Sequence, residues 1–189
     1  MTAPDSSGHA ARREESLARL RALFRRADAV ILDTETTGHK QAEVIEVAVM
    51  HLDGRVLFDE LIRPRRMVMN RYAERVHGIS LEMLEDKPVL PEVLDRLESI
   101  LATSHVLAWN SGFDALMLKR SRKIWGLEPR PFRHECAMRL YAGLHGRKSY
   151  ALHDAINDEG LAGLLKEIPS HRALGDVQLV QRLLRASVG

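Results

Sequence analysis

Ala29-Val30-Ile31-Leu32-Asp33-Thr34-Glu35-Thr36-Thr37-Gly38 is the stretch that sets the fold. Four apolar residues lead into alternating acids and threonines and stop at a glycine, the pattern of a short buried strand. Side chains alternate along a strand, so Asp33 and Glu35 point to one face. Two carboxylates on one face of an apolar strand repel each other, and burying both is expensive unless a cation compensates. A strand end that simply reaches solvent carries acids too, so on this pair alone both readings stay open.

Outward from that strand, residues 43–52 read as a second strand, Asp53-Gly54 as a hairpin turn, and residues 55–62 as a third strand, giving an antiparallel meander. His105 to Trp109 reads as a fourth strand and Phe132 to Cys136 as a fifth. Helical spacing recurs over 91–101, 110–125, 137–144, 152–159 and 173–187, and Ser80 is placed to cap a short helix before Pro88. Strands first, then alternating helix and strand, predict an α/β fold with a mixed five-stranded sheet flanked by helices. Ahead of it, Leu17, Leu20, Leu23 and Phe24 predict an amphipathic helix over 14–28, preceded by a flexible leader over 1–13. The main domain then spans 29–189.

A chain of 189 residues can bury a core without disulfides. No apolar run is longer than four residues, which excludes a membrane-spanning helix and leaves no membrane partner to expect. The single cysteine, Cys136, cannot form an internal disulfide or a Cys-rich zinc site, and the expected address is a reducing cytoplasm. A net charge of +2 is too weak to identify a nucleic-acid binder by itself. Of the 28 basic residues 22 are Arg, whose planar fork suits phosphate oxygens, although GC-rich coding gives the same bias.

Three further residues bear on the acidic pair. Asp114 lies in the first turn of the helix after the fourth strand, where open α/β sheets place ligands. If the first and fourth strands are neighbours, it faces Asp33 and Glu35; helix N-termini also favour acids for dipole reasons alone. Asp176 lies on the last helix, with His171 five residues upstream on the loop that enters it. A histidine there could swing towards a bound ligand.

Asp33-Thr34-Glu35-Thr36-Thr37-Gly38, then Asn110-Ser111-Gly112-Phe113-Asp114, then His171 with Asp176, together resemble the three-motif signature of the DEDDh 3′→5′ exonucleases, the family of the DNA polymerase III epsilon subunit. Val76-His77-Gly78-Ile79 resembles a segment common between the first two motifs. The resemblance runs from Ala29 to Leu184 and implies a ribonuclease H-like fold. Trp109 departs from it, standing where many members carry His or a smaller aromatic. The resemblance implies two divalent cations, Mg2+ or Mn2+, held by Asp33, Glu35, Asp114 and Asp176, with His171 taking a proton from the attacking water. Hard carboxylate oxygens suit those ions. It further implies contacts to the terminal nucleotide from Thr36, Thr37, Gly38, His77, Ile79 and Phe113.

The expected activity is metal-dependent release of nucleoside 5′-monophosphates from the 3′ end of single-stranded nucleic acid, DNA first, with proofreading beside a polymerase subunit as a further expectation. A non-catalytic nucleic-acid-binding module and an RNA-directed exoribonuclease are the alternatives. The arginines at 63, 65, 66, 71 and 75 either hold the strand's phosphates or belong to a solvated loop.

Overall fold

A computed structural model describes residues 6–189. Its centre is a sheet of five strands in the order β3-β2-β1-β4-β5. β1 (Ala29–Thr36), β2 (Val44–His51) and β3 (Val56–Leu61) form the antiparallel meander. β4 (His105–Ala108) and β5 (His134–Cys136) continue the sheet in parallel with β1. The α/β mixed sheet expected from the element order is therefore present, and β1 and β4 are neighbours.

Strand alternation divides the core in two. Ala29 and Ile31 of β1, with Ala48 and Met50 of β2, pack under α1 (Ser6–Phe24), α5 (Ala137–Leu144), α6 (Leu152–Asp158) and α8 (Ala173–Val188). Val30, Leu32, Val47 and Val49 pack on the opposite face under α3 (Leu90–Thr103) and α4 (Ser111–Ile124). Two short helices, α2 (Arg71–His77) and α7 (Leu164–Glu167), complete the set, with a single 3-10 turn at Glu82–Leu84. That turn has no side-chain cap, so Ser80 does not serve as the helix cap expected of it. No helix among the described residues is long and apolar enough to cross a membrane.

The N-terminal helix departs most from the sequence expectation, ending at Phe24 rather than 28 as well as starting earlier, and the fifth strand begins at His134 rather than Phe132. The helix predicted over 14–28 begins at Ser6, so the leader assigned to 1–13 is corrected over 6–13; residues 1–5 lie outside the described residues. Ala10, Ala11, Arg12 and Arg13 are good helix formers, and Arg12 Nε donates back to the Gly8 carbonyl at 3.0 Å. Leu20 and Leu23 are fully buried, and Ser16 seats over Gly143 of α5, where a Cβ would lie 3.3 Å from the serine Cβ and closer still to its hydroxyl. Arg19 forks onto Glu135 of β5, with Nε 3.0 Å from Oε1 and NH2 2.7 Å from Oε2, which ties α1 to the sheet edge.

Candidate active site

The C-terminal end of β1 carries Asp33 and Glu35 on the face that α8 covers. Alternation places them in line with Ile31, and α8 brings Asp176 over them from its first turn. Asp33, Glu35 and Asp176 each offer a carboxylate oxygen within 4.8 Å of the others, and all three are half-buried, so the recess stays open to a ligand. Asp114 arrives from α4 on the other side of β1. It is buried and held by the Thr34 hydroxyl, which donates to its Oδ1 at 2.8 Å. It stands beside the three-acid group rather than within it, yet its charge acts on Asp33.

These carboxyls disfavour ionisation. Burial raises Asp33 well above the usual carboxylate range, and Asp114, Asp176, Glu35 and Glu46 raise it further. Glu35 is pushed up to about 8 by burial, then by Asp176, Glu46 and Asp114, against a lowering pull from Arg172. Asp114 rises to about 6 through burial, opposed by the Thr34 hydroxyl. Burial raises Asp176 too, opposed by the His171 backbone N–H and by the charges of His171 and His153. Arg172 offsets the cluster only in part, because its guanidinium is forked onto both oxygens of Glu46, with Nε at 3.0 and 3.1 Å. Hard carboxylate oxygens short of positive charge, three of them grouped and Asp114 beside them, are a donor set that could hold a divalent cation.

His171 lies on the loop entering α8, in the left-handed region at φ 58. Its N–H donates to Asp176 Oδ1 at 3.1 Å, and its exposed ring packs against the His153 ring of α6, with centroids 5.0 Å apart. Three restraints fix this loop. Glu46 forks Arg172, the same carboxylate accepts the Ala173 N–H at 2.8 Å, and the Pro169 carbonyl presses on Gly175, where no Cβ would fit. Sequence reasoning did not select Glu46, Arg172 as its partner, or His153. An acid between Ile45 and Val47 in an apolar strand was a signal for Glu46, whereas nothing in the sequence distinguishes His153 from the other histidines.

The residues expected to meet a nucleotide divide into groups. Thr36 and Thr37 are buried and their hydroxyls hold the turn after β1: Thr36 Oγ1 donates to the Gly38 carbonyl at 2.7 Å, and Thr37 Oγ1 accepts the Glu43 N–H at 3.0 Å. Gly38, at φ 147, lets Asn70 approach; a Cβ there would lie 3.0 Å from Asn70 Cβ. Phe113 is half-buried, edge-on to His39. His77 is buried; its Nδ1 accepts the Ile79 N–H at 3.0 Å, and its Nε2 has no hydrogen-bond partner. Ile79 is fully buried against Ile45 and Leu84, so its side chain supports the turn from behind and offers a ligand no surface. Trp109 packs on Tyr141 and donates Nε1–H to the Tyr150 carbonyl at 3.1 Å, bracing the segment that leads to α6.

The arginines at 63, 65 and 66 do not form a free phosphate-binding loop. Arg63 NH1 donates to the Glu85 carbonyl at 3.0 Å. Arg65 donates to the Ile124 carbonyl with its guanidinium over Trp125. Arg66 donates to the Gln41 carbonyl and to buried Glu43.

Comparison with known proteins agrees with this arrangement. Residues 30–184 match the family described as RNase_T, exonuclease. The chain is 28% identical over 170 residues to "Uncharacterized exonuclease CP81" of Escherichia phage 186, covering 84% of this chain and 87% of that protein. It is 33% identical over 167 residues to the PolC-type DNA polymerase III of Thermotoga maritima, covering 85% of this chain but only 12% of the polymerase. The fold resembles the nuclease domain of 3′hExo, a DEDDh family member crystallised with rAMP, at a TM-score of 0.68, 17% identity and coverage of 83% and 90% of the two chains. The family match spans both cores and all three acidic motifs, and the chain belongs to the RNase_T exonucleases, of the DEDDh 3′–5′ kind.

Proposed function

We propose that this protein hydrolyses the terminal phosphodiester at the 3′ end of single-stranded nucleic acid, DNA in the first instance, and releases nucleoside 5′-monophosphates. The observation that carries the proposal is the group of Asp33, Glu35 and Asp176, with carboxylate oxygens within 4.8 Å, raised pKa values and His171 adjoining. Asp33, Glu35, Asp114 and Asp176 would hold a pair of divalent cations, Mg2+ or Mn2+. Such a pair would supply positive charge to the attacking and leaving oxygens at phosphorus.

The chain's own groups do the rest. His171 accepts the proton of the attacking water as its oxygen bonds to phosphorus and the P–O3′ bond breaks; the departing 3′ oxygen takes a proton from solvent. Imidazole is the side chain most often used for such a proton transfer. The turn at Thr36, Thr37 and Gly38 shapes the seat of the last nucleotide. Phe113 borders that seat, and the buried His77 and Ile79 back it. A purely binding module would have no use for the full set of four acids and a histidine.

Digestion of matched single-stranded DNA and RNA oligonucleotides, with Mg2+, with Mn2+ and with EDTA, tests the proposal. Nucleoside 5′-monophosphates should accumulate from the 3′ end only with metal, and not from Asp33→Ala/Asp176→Ala. Absence of product under every metal condition, or equal product from the double variant, overturns it. The DNA and RNA rates decide the sugar preference. Faster removal of a mispaired 3′ nucleotide would support proofreading beside a polymerase, as the PolC relative suggests, and equal rates would remove that role.

A further inference from the structure

Beyond the acids, the segment from Met67 to Val76 has an unusual surface. Val68 is 71% exposed and Tyr72 64%, and Met67 and Val76 are exposed beside them. Asn70 caps α2 by accepting the Tyr72 and Ala73 N–H groups, which fixes the backbone beneath Tyr72. Tyr72 and Val76 are four residues apart and share one face of the helix; Arg71 and Arg75 form the adjoining row. Both arginines are exposed and, among the described residues, neither makes an ion pair or a side-chain hydrogen bond. They contrast with Arg63, Arg65 and Arg66, whose guanidinium groups are committed within the protein. The one acid of α2, Glu74, is half-buried.

The segment adjoins the turn that follows β1 and the acids at its end. The Asn70 N–H donates to the Thr37 carbonyl at 2.9 Å, and a cleft of about 460 Å3 runs from Thr37 and Gly38 past Lys40 to Val68 and Asn70. An exposed aromatic ring flanked by uncommitted guanidinium groups is the chemistry that single-stranded nucleic acid recognises: bases stack on the ring and phosphates meet the cations. A protein surface would be better served by fewer charges at its centre.

We propose that the nucleotides upstream of the scissile bond lie along this face, with a base stacked on Tyr72 and phosphates held by Arg71 and Arg75. The inference rests on the exonuclease reading of the acidic site and adds a second, non-catalytic contact for the strand. It predicts a length-dependent effect, because a substrate of a single nucleotide cannot reach α2.

Two substrates test it: the p-nitrophenyl ester of thymidine 5′-monophosphate, and an oligodeoxynucleotide of about 10 nucleotides, within the ~4–16 covered by single-strand sites. Tyr72→Ala should raise KM for the oligonucleotide roughly five- to tenfold and leave kcat and the ester unchanged, while Tyr72→Phe keeps the wild-type KM. Arg71→Ala/Arg75→Ala should flatten the salt dependence of oligonucleotide affinity by about 0.7 in log–log slope per arginine. Fluorescence anisotropy of the labelled oligonucleotide, with Ca2+ in place of the working metal, reads affinity without turnover. Equal affinity and equal KM in Tyr72→Ala and in the arginine double variant overturn the inference even if both substrates are hydrolysed. A wild type that hydrolyses neither substrate overturns the exonuclease reading instead, and the anisotropy measurement still decides whether α2 holds a strand. Each altered residue is exposed, so an unchanged melting temperature is expected and separates a binding loss from misfolding.

Discussion

Replacing Gly175 by Ala tests how His171 is held. A Cβ built on Gly175 would lie 2.8 Å from the Pro169 carbonyl carbon and closer still to its oxygen. Both are backbone atoms, so no flexible side chain can yield. Carbon contacts settle at about 3.5–4.0 Å, so the Pro169 segment must withdraw by about 1 Å. His171 is two residues along and must follow, loosening the 3.1 Å hydrogen bond from its N–H to Asp176. Misplacing a reacting group by ~1 Å costs on the order of 100-fold in rate. The variant should therefore lose about 100-fold in kcat on a single-stranded oligonucleotide, with little change in KM, because the strand-binding surface is untouched. Stability should fall only modestly: overpacking costs ~1–3 kcal/mol, and the better helix former returns ~1 kcal/mol. Gly163→Ala is the matched control, since a Cβ there meets nothing within 4 Å and its φ is −58. Steady-state kinetics beside thermal denaturation read both effects. A Gly175→Ala enzyme that remains folded and turns over at the wild-type rate would refute the argument that this close approach places His171.

Four further outcomes follow from the same geometry. Without metal, Glu35 keeps its proton up to about pH 8 in the folded chain, whereas the unfolded chain has lost it near 4.5; stability in EDTA should thus fall as pH rises through that window, and a melting temperature that climbs instead would contradict the raised pKa. Mg2+ or Mn2+ should raise the melting temperature by binding the folded state alone, worth ~2.7 kcal/mol at 100 times the dissociation constant, and Asp33→Ala/Asp176→Ala should lose that response. Glu46→Ala leaves Arg172 unpaired and α8 uncapped; breaking a buried pair costs ~3–5 kcal/mol, reduced to about 2 kcal/mol because the arginine is only partly buried, and unchanged denaturation would show that the pair does not hold the loop. His153→Ala removes the ring against which His171 rests, so kcat should drop about 2- to 10-fold, matching an aromatic pair of ~0.5–1.5 kcal/mol, and His153→Phe should recover most of it.

The sheet was legible because its strands announce themselves by period and by turn residues. The parity of Asp33 and Glu35 follows from strand alternation alone, and their position at the end of β1 follows from the glycine that stops the run. Asp114 required one topological fact, that β1 and β4 are neighbours, which the sequence left as a condition and the strand order of the sheet meets. The start of α1 was hidden because Ser6, Ser7 and Gly8 are poor helix formers, and what anchors the helix is burial of Leu20 and Leu23 further along. α2 was obscured by arginines, which gave no apolar period, although Asn70 caps it as the residue type suggests. The separation of Arg65 and Arg66 from Arg71 and Arg75 was not legible, because their partners, the Ile124 carbonyl and Glu43, are remote in sequence.

The site's least legible feature is also what connects its chemistry to its fold. His171 occupies a left-handed backbone that costs a non-glycine residue ~1–2 kcal/mol, so something must hold it there. Glu46 does so from β2, on the same sheet face as Asp33 and Glu35 and directly opposite Glu35 in the register. The strand pairing that gathers the acids thus also carries the carboxylate that forks Arg172 and accepts the Ala173 N–H. Asp176 completes the link, since one of its oxygens accepts the His171 N–H and the other remains for a cation. A cation that draws on Asp176 therefore pulls on the loop bearing the proposed base. Occupancy of the proposed metal site and the position of His171 would then be coupled through one carboxylate, so that a change at either end would be felt at the other.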